Sequence, residues 1–274
     1  MQIAIEAHGE VVGDVAVGLP GEGRIAYLGY TINPVHQGNG YASEAAAAIV
    51  DAIFERTDIH RVIATLDPEN FASMRVIEPL GFRHEALARE AELVRGNWVD
   101  DARFALLRSD RAAWLARPTQ PPVDVRLVEI EAGDAWSWSA LETFVFQRRF
   151  VSPVAKSIAD ALVPPLVDGE PVVPWLRGVV ADGERVGFVM VAQPTDSRPD
   201  PYLWRLLIDR AHQRRSIGSR VVRTLIDAYR EAGCARLLLS YVEGPGGPGP
   251  LYRRLGFEPT GHIDEGEIVA AIDL

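Results

Sequence analysis

The sequence predicts a mixed α/β protein built from two tandem copies of one unit, the first lacking the front of the second. Three observations lead there. Short blocks recur at a nearly constant offset, a proline-rich stretch separates the two runs, and each run reads as a strand hairpin followed by strand–helix alternation. His36-Gln37 in PVHQGNGYAS and His212-Gln213 in RAHQRRSIGS lie 176 positions apart. EPLGF (Glu78 to Phe82) and RRLGF (Arg253 to Phe257) lie 175 apart, as do RVIAT from Arg61 and RLLLS from Arg236. VVGDVAV from Val11 and RVGFVMV from Arg185 lie 174 apart. Four matches at a nearly constant offset mark a duplication. The stretch ARPTQPPVDV carries three prolines, each fixing φ and lacking a donor, so residues 116–124 read as a linker between domains 1–115 and 125–274. His212 stands 87 positions after Val125, whereas His36 stands 35 after Met1. The first copy is therefore expected to be short by about 50 residues at its front, unless the reading frame opens upstream of Met1.

The second copy gives the elements in order. VRLVEI (Val125 to Ile130) alternates as a strand does. Residues 133–146 and 156–167 have helical patterning, with Pro164-Pro165 closing the second helix. WLRGVVA and RVGFVMVAQ form a hairpin through Asp182-Gly183, and YLWRLLI (Tyr202 to Ile208) adds a third antiparallel strand. Ile217, Val221, Val222, Leu225, Ile226 and Tyr229 recur at helical spacing until Gly233. ARLLLS reads as a strand buried on both faces, PLYRRL as a short helix stopped by Gly256, and EIVAAIDL as the last strand. The first copy repeats the order from its hairpin onward: RIAYLGYTI, a helix from Tyr41 to Phe54, RVIATL, and a helix from Phe71 to Glu78.

Composition limits the function. The 274 residues are 47% hydrophobic and 24% charged, which suits a globular chain and none of the fibrous or disordered classes. No apolar run approaches the ~20 residues of a membrane span. Met1 to Ala7 includes Glu6 and lacks a basic start, which argues against a secretory signal. A single cysteine, Cys234, forms no internal disulfide and suits a reducing compartment, so the expected location is cytoplasmic. The net charge of −10 repels phosphate backbones, so neither nucleic acid nor a membrane is expected as a partner. Six histidines show no metal-ligand spacing, and no metal is expected.

The chemistry gathers at the loop after the third strand of each hairpin run. HQGNGYA leaves one strand and enters an Ala-rich helix. Amides at a helix N-terminus, approached through glycine, make an anion site that fits a pyrophosphate. Here the sequence resembles the GNAT superfamily of N-acetyltransferases, whose signature Gln/Arg-x-x-Gly-x-Gly/Ala binds the pyrophosphate of acetyl-CoA. Gln37, Gly40 and Ala42 match it, with Gly38, Asn39 and Tyr41 between and beside them. In the second copy Gln213, Ser216 and Gly218 match it, with Arg214, Arg215, Ile217 and Ser219 completing the loop. Ser216 replaces the expected glycine and leaves less room. The resemblance covers nearly the whole chain and implies two tandem GNAT-like domains, the first truncated. The first copy is similar to the branch that acetylates ribosomal-protein N-termini, through GYASEAAAAIVDAIF, DPENFASMRVIEPLGFRHEA and GNWVDDARFALL. There Asn70 and Ser73 match positions near the coenzyme arm. The second is similar to the polyamine or diamine branch, through RFVSPVAKSIADA, YLWRLLID, LYRRLGFEPTG and DEGEIV. The usual Asn before its last helix is replaced by EGPGGPGP.

The resemblance implies transfer of the acetyl group of acetyl-CoA to a primary amine, by direct attack in a ternary complex. Backbone N–H groups of Leu206, Leu207 and Ile208, or of Tyr30 to Ile32, would hold pantetheine and polarise the carbonyl. Tyr252 would give a proton to the departing thiolate, since a phenol of pKa ~10 is a suitable acid. Glu267 would pair with the amine or relay its proton, with Asp264 and Glu265 binding a small cationic acceptor. The competing readings are a Tyr packed under the sheet and a solvated acidic hairpin. The first copy has Ile77 where the second has Tyr252, so the second copy is expected to perform the transfer. A module that binds acetyl-CoA or dimerises without catalysis is the rival reading. Transfer to an aminoglycoside, an amino acid or a protein N-terminus is another, and a homodimer is a further expectation.

Overall fold

The computed structural model describes residues 1–20, 23–167 and 169–274. The chain divides into two compact units, Met1–Arg117 and Pro118–Leu274.

In the first unit β1 (Gln2–Ala7), β2 (Glu10–Gly18) and β3 (Ile25–Ile32) form an antiparallel meander. Helix α1 (Tyr41–Arg56) then crosses to β4 (Arg61–Leu66), which lies parallel to β3. After α2 (Phe71–Ile77), the hairpin β5 (Arg83–Val94) and β6 (Asn97–Leu107) returns beside β4, and α3 (Arg108–Ala116) ends the unit. The sheet order is β1-β2-β3-β4-β6-β5. At β3 one face of this sheet is covered and the other is not, whereas β4 and β6 bury consecutive residues, Val62 to Ala64 and Phe104 to Leu106, and so are covered on both faces. On β3, Ala26 and Leu28 are buried, while Ile25 and Tyr27 between them are exposed.

The second unit opens with β7 (Val125–Val128), α4 (Ala135–Ser139), α5 (Val154–Leu162) and a minimal hairpin of β8 (Leu166–Val167) and β9 (Glu170–Pro171). Then come β10 (Pro174–Ala181), β11 (Glu184–Ala192), β12 (Tyr202–Ile208), α6 (Ile217–Glu231) and β13 (Arg236–Tyr241). Helix α7 (Gly249–Arg254) and the hairpin β14 (Glu258–Asp264) and β15 (Glu267–Asp273) complete it. Its sheet runs β14-β15-β13-β12-β11-β10-β7, so β10 to β15 repeat β1 to β6 in order and pairing. Both faces are covered here, and β11 shows why its sequence is apolar throughout. Val189 and Val191 pack on one face with α6, while Phe188 and Met190 pack on the other with Trp138 of α4 and Val154 of α5.

Local chemistry accounts for the elements. Asp182 and Gly183, both at positive φ, form the tight turn of the β10–β11 hairpin. The six periodic residues of α6 are its buried ones. The helix ends in a pair of bonds, from Cys234 N–H to Tyr229 O and from Gly233 N–H to Arg230 O, with Gly233 left-handed.

Three expectations change. The helix read over 133–146 is confined to α4, and a 3₁₀ turn follows at Val145–Gln147. Glu142 gives its N–H to Asp209 and its carbonyl accepts from Arg210, so tertiary bonds capture the backbone where a helix would need it. The helix read over 156–167 runs from Val154 to Leu162, ahead of Pro164-Pro165. Strands β5 and β14 lie at sheet edges with nearly every residue exposed, so no apolar alternation announces them.

Candidate active site

The two loops share one backbone path. Each leaves its strand through a short 3₁₀ turn, capped by Asn33 accepting from Val35 N–H or by Asp209 accepting from Ala211 N–H. Gln37 Nε2 then donates to Ile32 O at 3.1 Å, and Gln213 Nε2 to Ile208 O at 3.0 Å. Positive φ follows at Gly38 (81°) and Gly40 (85°), and at Arg214 (64°) and Ser216 (62°). Tyr41 and Ala42 then open α1, as Ile217, Gly218 and Ser219 open α6. Left-handed steps of this kind ahead of a helix N-terminus are the backbone form in which successive N–H groups can converge on an anion. Glycine adopts the conformation freely, whereas a residue with Cβ bears about 1 kcal/mol or more. The second loop keeps the path with Arg214 and Ser216, strain that a structure holds when its neighbours over-determine it.

Several expected phosphate ligands have other employment. Both Gln side chains clamp the loop to the preceding strand, and Gln213 also exchanges two amide bonds with Gln147 (2.8 and 3.1 Å). Arg215 is buried and turned away, donating to Gln120 O at 2.8 Å, 3.0 Å from His212 Nδ1 and 3.9 Å from Asp182. The side chain of Leu207 goes to the opposite face, against Phe188. At those two positions only backbone is left for the loop and strand. In the first unit Asn39 Nδ2 bonds His36 O and Gln37 O, and Asn70 caps α2 by accepting from Ser73 N–H. The Tyr30 hydroxyl donates to Ser73 O at 3.0 Å, and burial pushes its pKa up to about 12.

A gap opens beside the loop. Strands β12 and β13 pair only at Tyr202–Leu238 and Leu203–Leu239, then part. Between them lies a cleft of about 620 Å³, lined by Leu206 and Ile208 of β12, by Arg214, Ser216, Gly218 and Ser219, and by Tyr252 of α7. A β-bulge stands in its wall. Arg205 faces Met190 and Leu203 faces Val191, leaving Trp204 without a partner on β11. The matching pair β2–β3 runs unbroken from Gly13–Ile32 to Gly18–Tyr27. The loop 244–250 closes one side, its Gly246, Gly247, Pro248 and Pro250 facing the cleft beside Phe150.

A second cavity of about 850 Å³ lies beyond, lined by Tyr202, Asp264 and Glu265 among others. The two share Trp204, Arg205, Ser240 and Glu267. The Ser240 hydroxyl donates to Glu267. Tyr252 is buried, stacked at a tilt on Tyr241 (5.8 Å) and edge-on to Phe257 (5.9 Å), yet it lines the first cleft. Burial, then the Glu267 charge, raises its pKa, so the phenol keeps its proton. Tyr252 and Glu267 therefore meet at one cleft, with Asp264 and Glu265 across the shared wall. Among the described residues no three His, Cys, Asp or Glu side chains gather as a metal would require.

Arg205, Ser240 and Phe150 escaped the sequence reading, whereas Trp204, read as core or cleft wall, does line the cleft. Arg205 did leave a signal, as a charge inside the apolar strand YLWRLLI. Nothing in the sequence marked Ser240, because its importance comes from the strand that lies beside it.

Comparison with known proteins adds a family. The family described as acetyltransferase (GNAT) domain matches residues 1–83, and that described as acetyltransferase (GNAT) family matches residues 136–257. The chain is 40% identical over 84 residues to the uncharacterized N-acetyltransferase YnaD of Bacillus subtilis, covering 30% of this chain and 49% of that protein. It is 36% identical over 84 residues to the [ribosomal protein uS5]-alanine N-acetyltransferase of Escherichia coli, covering 31% of this chain and 43% of that one. It thus spans about half the length of the curated relatives it matches. Among solved structures, the spermidine N-acetyltransferase of Vibrio cholerae in complex with CoA and spermine is similar at 25% identity, with a TM-score of 0.37. That alignment covers 39% of this chain and 64% of the other. By its two family matches, the chain belongs to the GNAT acetyltransferases and carries two GNAT domains in tandem.

Proposed function

We propose that the protein is an N-acetyltransferase whose second unit moves the acetyl group of acetyl-CoA to a primary amine, presented as a small ammonium ion. The supporting observation is the pair of cavities that meet at Glu267, one beside the anion loop and one walled by Asp264 and Glu265. The residues present suit the co-substrate. Amides of the Arg214–Ser216 loop can take a diphosphate, and the parted β12–β13 edge can take an amide-bearing arm along Leu206 to Ile208. The ammonium first gives one proton to Glu267, open to both cavities, which passes it to water. The amine nitrogen then bonds to the thioester carbon, the carbon–sulfur bond breaks, a second proton leaves nitrogen for Glu267 and another reaches sulfur. Tyr252 keeps its own proton and is placed to supply the one for sulfur.

The first unit keeps the loop but not the bulge, and Ile77 stands where the second unit has Tyr252. We read it as a structural partner within boundaries near 1–115, joined through 116–124 to the working domain 125–274. A test is thiol release from acetyl-CoA by the full chain over a panel of amines. Release that depends on the amine is expected. Release no faster with any amine than without would overturn the reading.

A further inference from the structure

The second cavity carries charges of both signs, which a simple amine does not require. We infer that the acceptor bears a carboxylate as well as its reacting amine, with the carboxylate held by Arg198 and Arg205 and the ammonium by the acids around Glu267. This rests on the reading of the second unit as an amine acetyltransferase.

Both arginines line the cavity and both are short of acceptors. Arg198, in the loop after β11, donates from Nη2 to Pro171 O at 3.0 Å, while its buried Nε has no acceptor. Among the described residues it pairs with no carboxylate. Arg205 donates from Nη1 to Trp204 O at 2.8 Å, and its Nε is likewise buried without an acceptor. Its nearest carboxylate, Asp160, is 4.0 Å away and already holds Lys156 at 2.7 Å. Burial draws the Arg205 guanidinium below its ordinary pKa, against the opposing pull of Asp160 and Glu267, which offset the desolvation only in part. A guanidinium withdrawn from water in this state is costly, and an anionic ligand relieves the cost. The planar fork suits a carboxylate, reached through the remaining Nη hydrogens.

The acids are arranged the other way. Among the described residues, Asp264 and Glu265 have no cationic partner, and Glu267 accepts only from Ser240. Trp204 and Tyr202 contribute aromatic wall between the two sets. A molecule with an ammonium at one end and a carboxylate at the other satisfies both; a diamine leaves the arginines as they are.

The experiment uses the full chain with acetyl-CoA and follows thiol release with matched acceptors: amino carboxylates of graded length, their carboxamides, and the corresponding diamines. For the best length, kcat/KM for the amino carboxylate is expected to exceed that for its carboxamide by about 10- to 100-fold, the range for hydrogen bonds to a charged group. Arg198→Gln is expected to bring that ratio toward one, and Arg198→Lys to keep part of it. If carboxamides or diamines are used as well as amino carboxylates, the inference is overturned while the N-acetyltransferase reading stands. If no acceptor is acetylated, both fall. A preference unchanged in Arg198→Gln overturns the assignment of the carboxylate to this end of the cavity.

Discussion

The Ser240 hydroxyl on β13 donates to the Glu267 carboxylate on β15, at the wall where the two cavities of the second unit meet. A base that must face a substrate amine needs a fixed orientation, and this bond supplies one. Glu267→Gln is expected to lower kcat by about 10²- to 10⁴-fold, the usual range for loss of a general base. Ser240→Ala should lower it by a smaller factor with KM for acetyl-CoA little changed. Steady-state kinetics by thiol release checks both, and a Ser240→Ala loss as large as that of Glu267→Gln would contradict this division of roles.

Tyr252 is the acid of the proposed transfer. Its burial and its neighbour Glu267 both favour the neutral phenol, so activity should show no titration of Tyr252 through neutral and moderately alkaline pH. Tyr252→Phe keeps the ring packed on Tyr241 and Phe257 and removes only the hydroxyl. Turnover is expected to fall by about 10²-fold or more. Gln37→Ala, in the first unit, should barely change it. The reverse ranking would move the reaction to the other unit.

The duplication was legible because an apolar pattern, a loop and a short helix recur with little drift: the buried residues of α6 were all named by spacing alone. The outer hairpins were not, because β5 and β14 bury almost nothing and leave no periodic trace. At the site, the loop was visible from glycines and the phenol from its place before LGF. What the loop residues do was less visible. Gln213 and Arg215 look like phosphate ligands in sequence, yet their side chains are held by Ile208, Gln147, Gln120 and His212, partners that only the fold brings near. Arg205 and Ser240 matter through neighbours on other strands, which no local pattern records.

The strained second loop gives a further prediction. Ser216 sits at φ 62°, a conformation that a β-branched side chain tolerates poorly. Ser216→Val should weaken acetyl-CoA binding by about tenfold or more if the left-handed step costs at least 1–2 kcal/mol. Ser216→Gly should bind at least as well as the natural protein. Calorimetric titration of acetyl-CoA separates the two, and equal affinities for all three would show that the loop path is not what binds.

Tyr30 predicts an alkaline weakness in the first unit. Its folded pKa is about 12, against ~10 for an unfolded tyrosine. Between these values the unfolded chain has released the proton and the folded chain has not, so the unfolded state binds fewer protons and stability falls as pH rises. The contribution is whole below pH ~10 and is lost on the way to about 12. Denaturant titrations at rising pH should show a shallower alkaline decline in Tyr30→Phe than in the natural protein; parallel declines would remove Tyr30 as the cause.

Gly13 and Gly187 offer a matched test of which unit works. They occupy the same place on β2 and β11, after a bulge that both hairpins share (between Ile5 and Glu6, and between Val179 and Val180). A Cβ at Gly13 would lie 2.2 Å from Thr31 O, and one at Gly187 would lie 2.5 Å from Leu207 O. Both obstacles are backbone, which cannot swing aside, so each strand must be pushed away from its neighbour. Overpacking of this kind costs about 1–3 kcal/mol. Gly13→Ala and Gly187→Ala should therefore be destabilised to a similar degree, each in its own unit. Their activities should part company. In Gly187→Ala the displaced strand is β12, which carries Trp204 to Ile208 along the cleft, and a shift of about 1 Å there is enough to cost about 10²-fold in rate. In Gly13→Ala the displaced strand is β3, and turnover at a temperature where the protein stays folded should be close to normal. Thermal melts paired with thiol-release rates decide it: equal losses of activity in the two variants would mean that both units, or neither, carry the transfer.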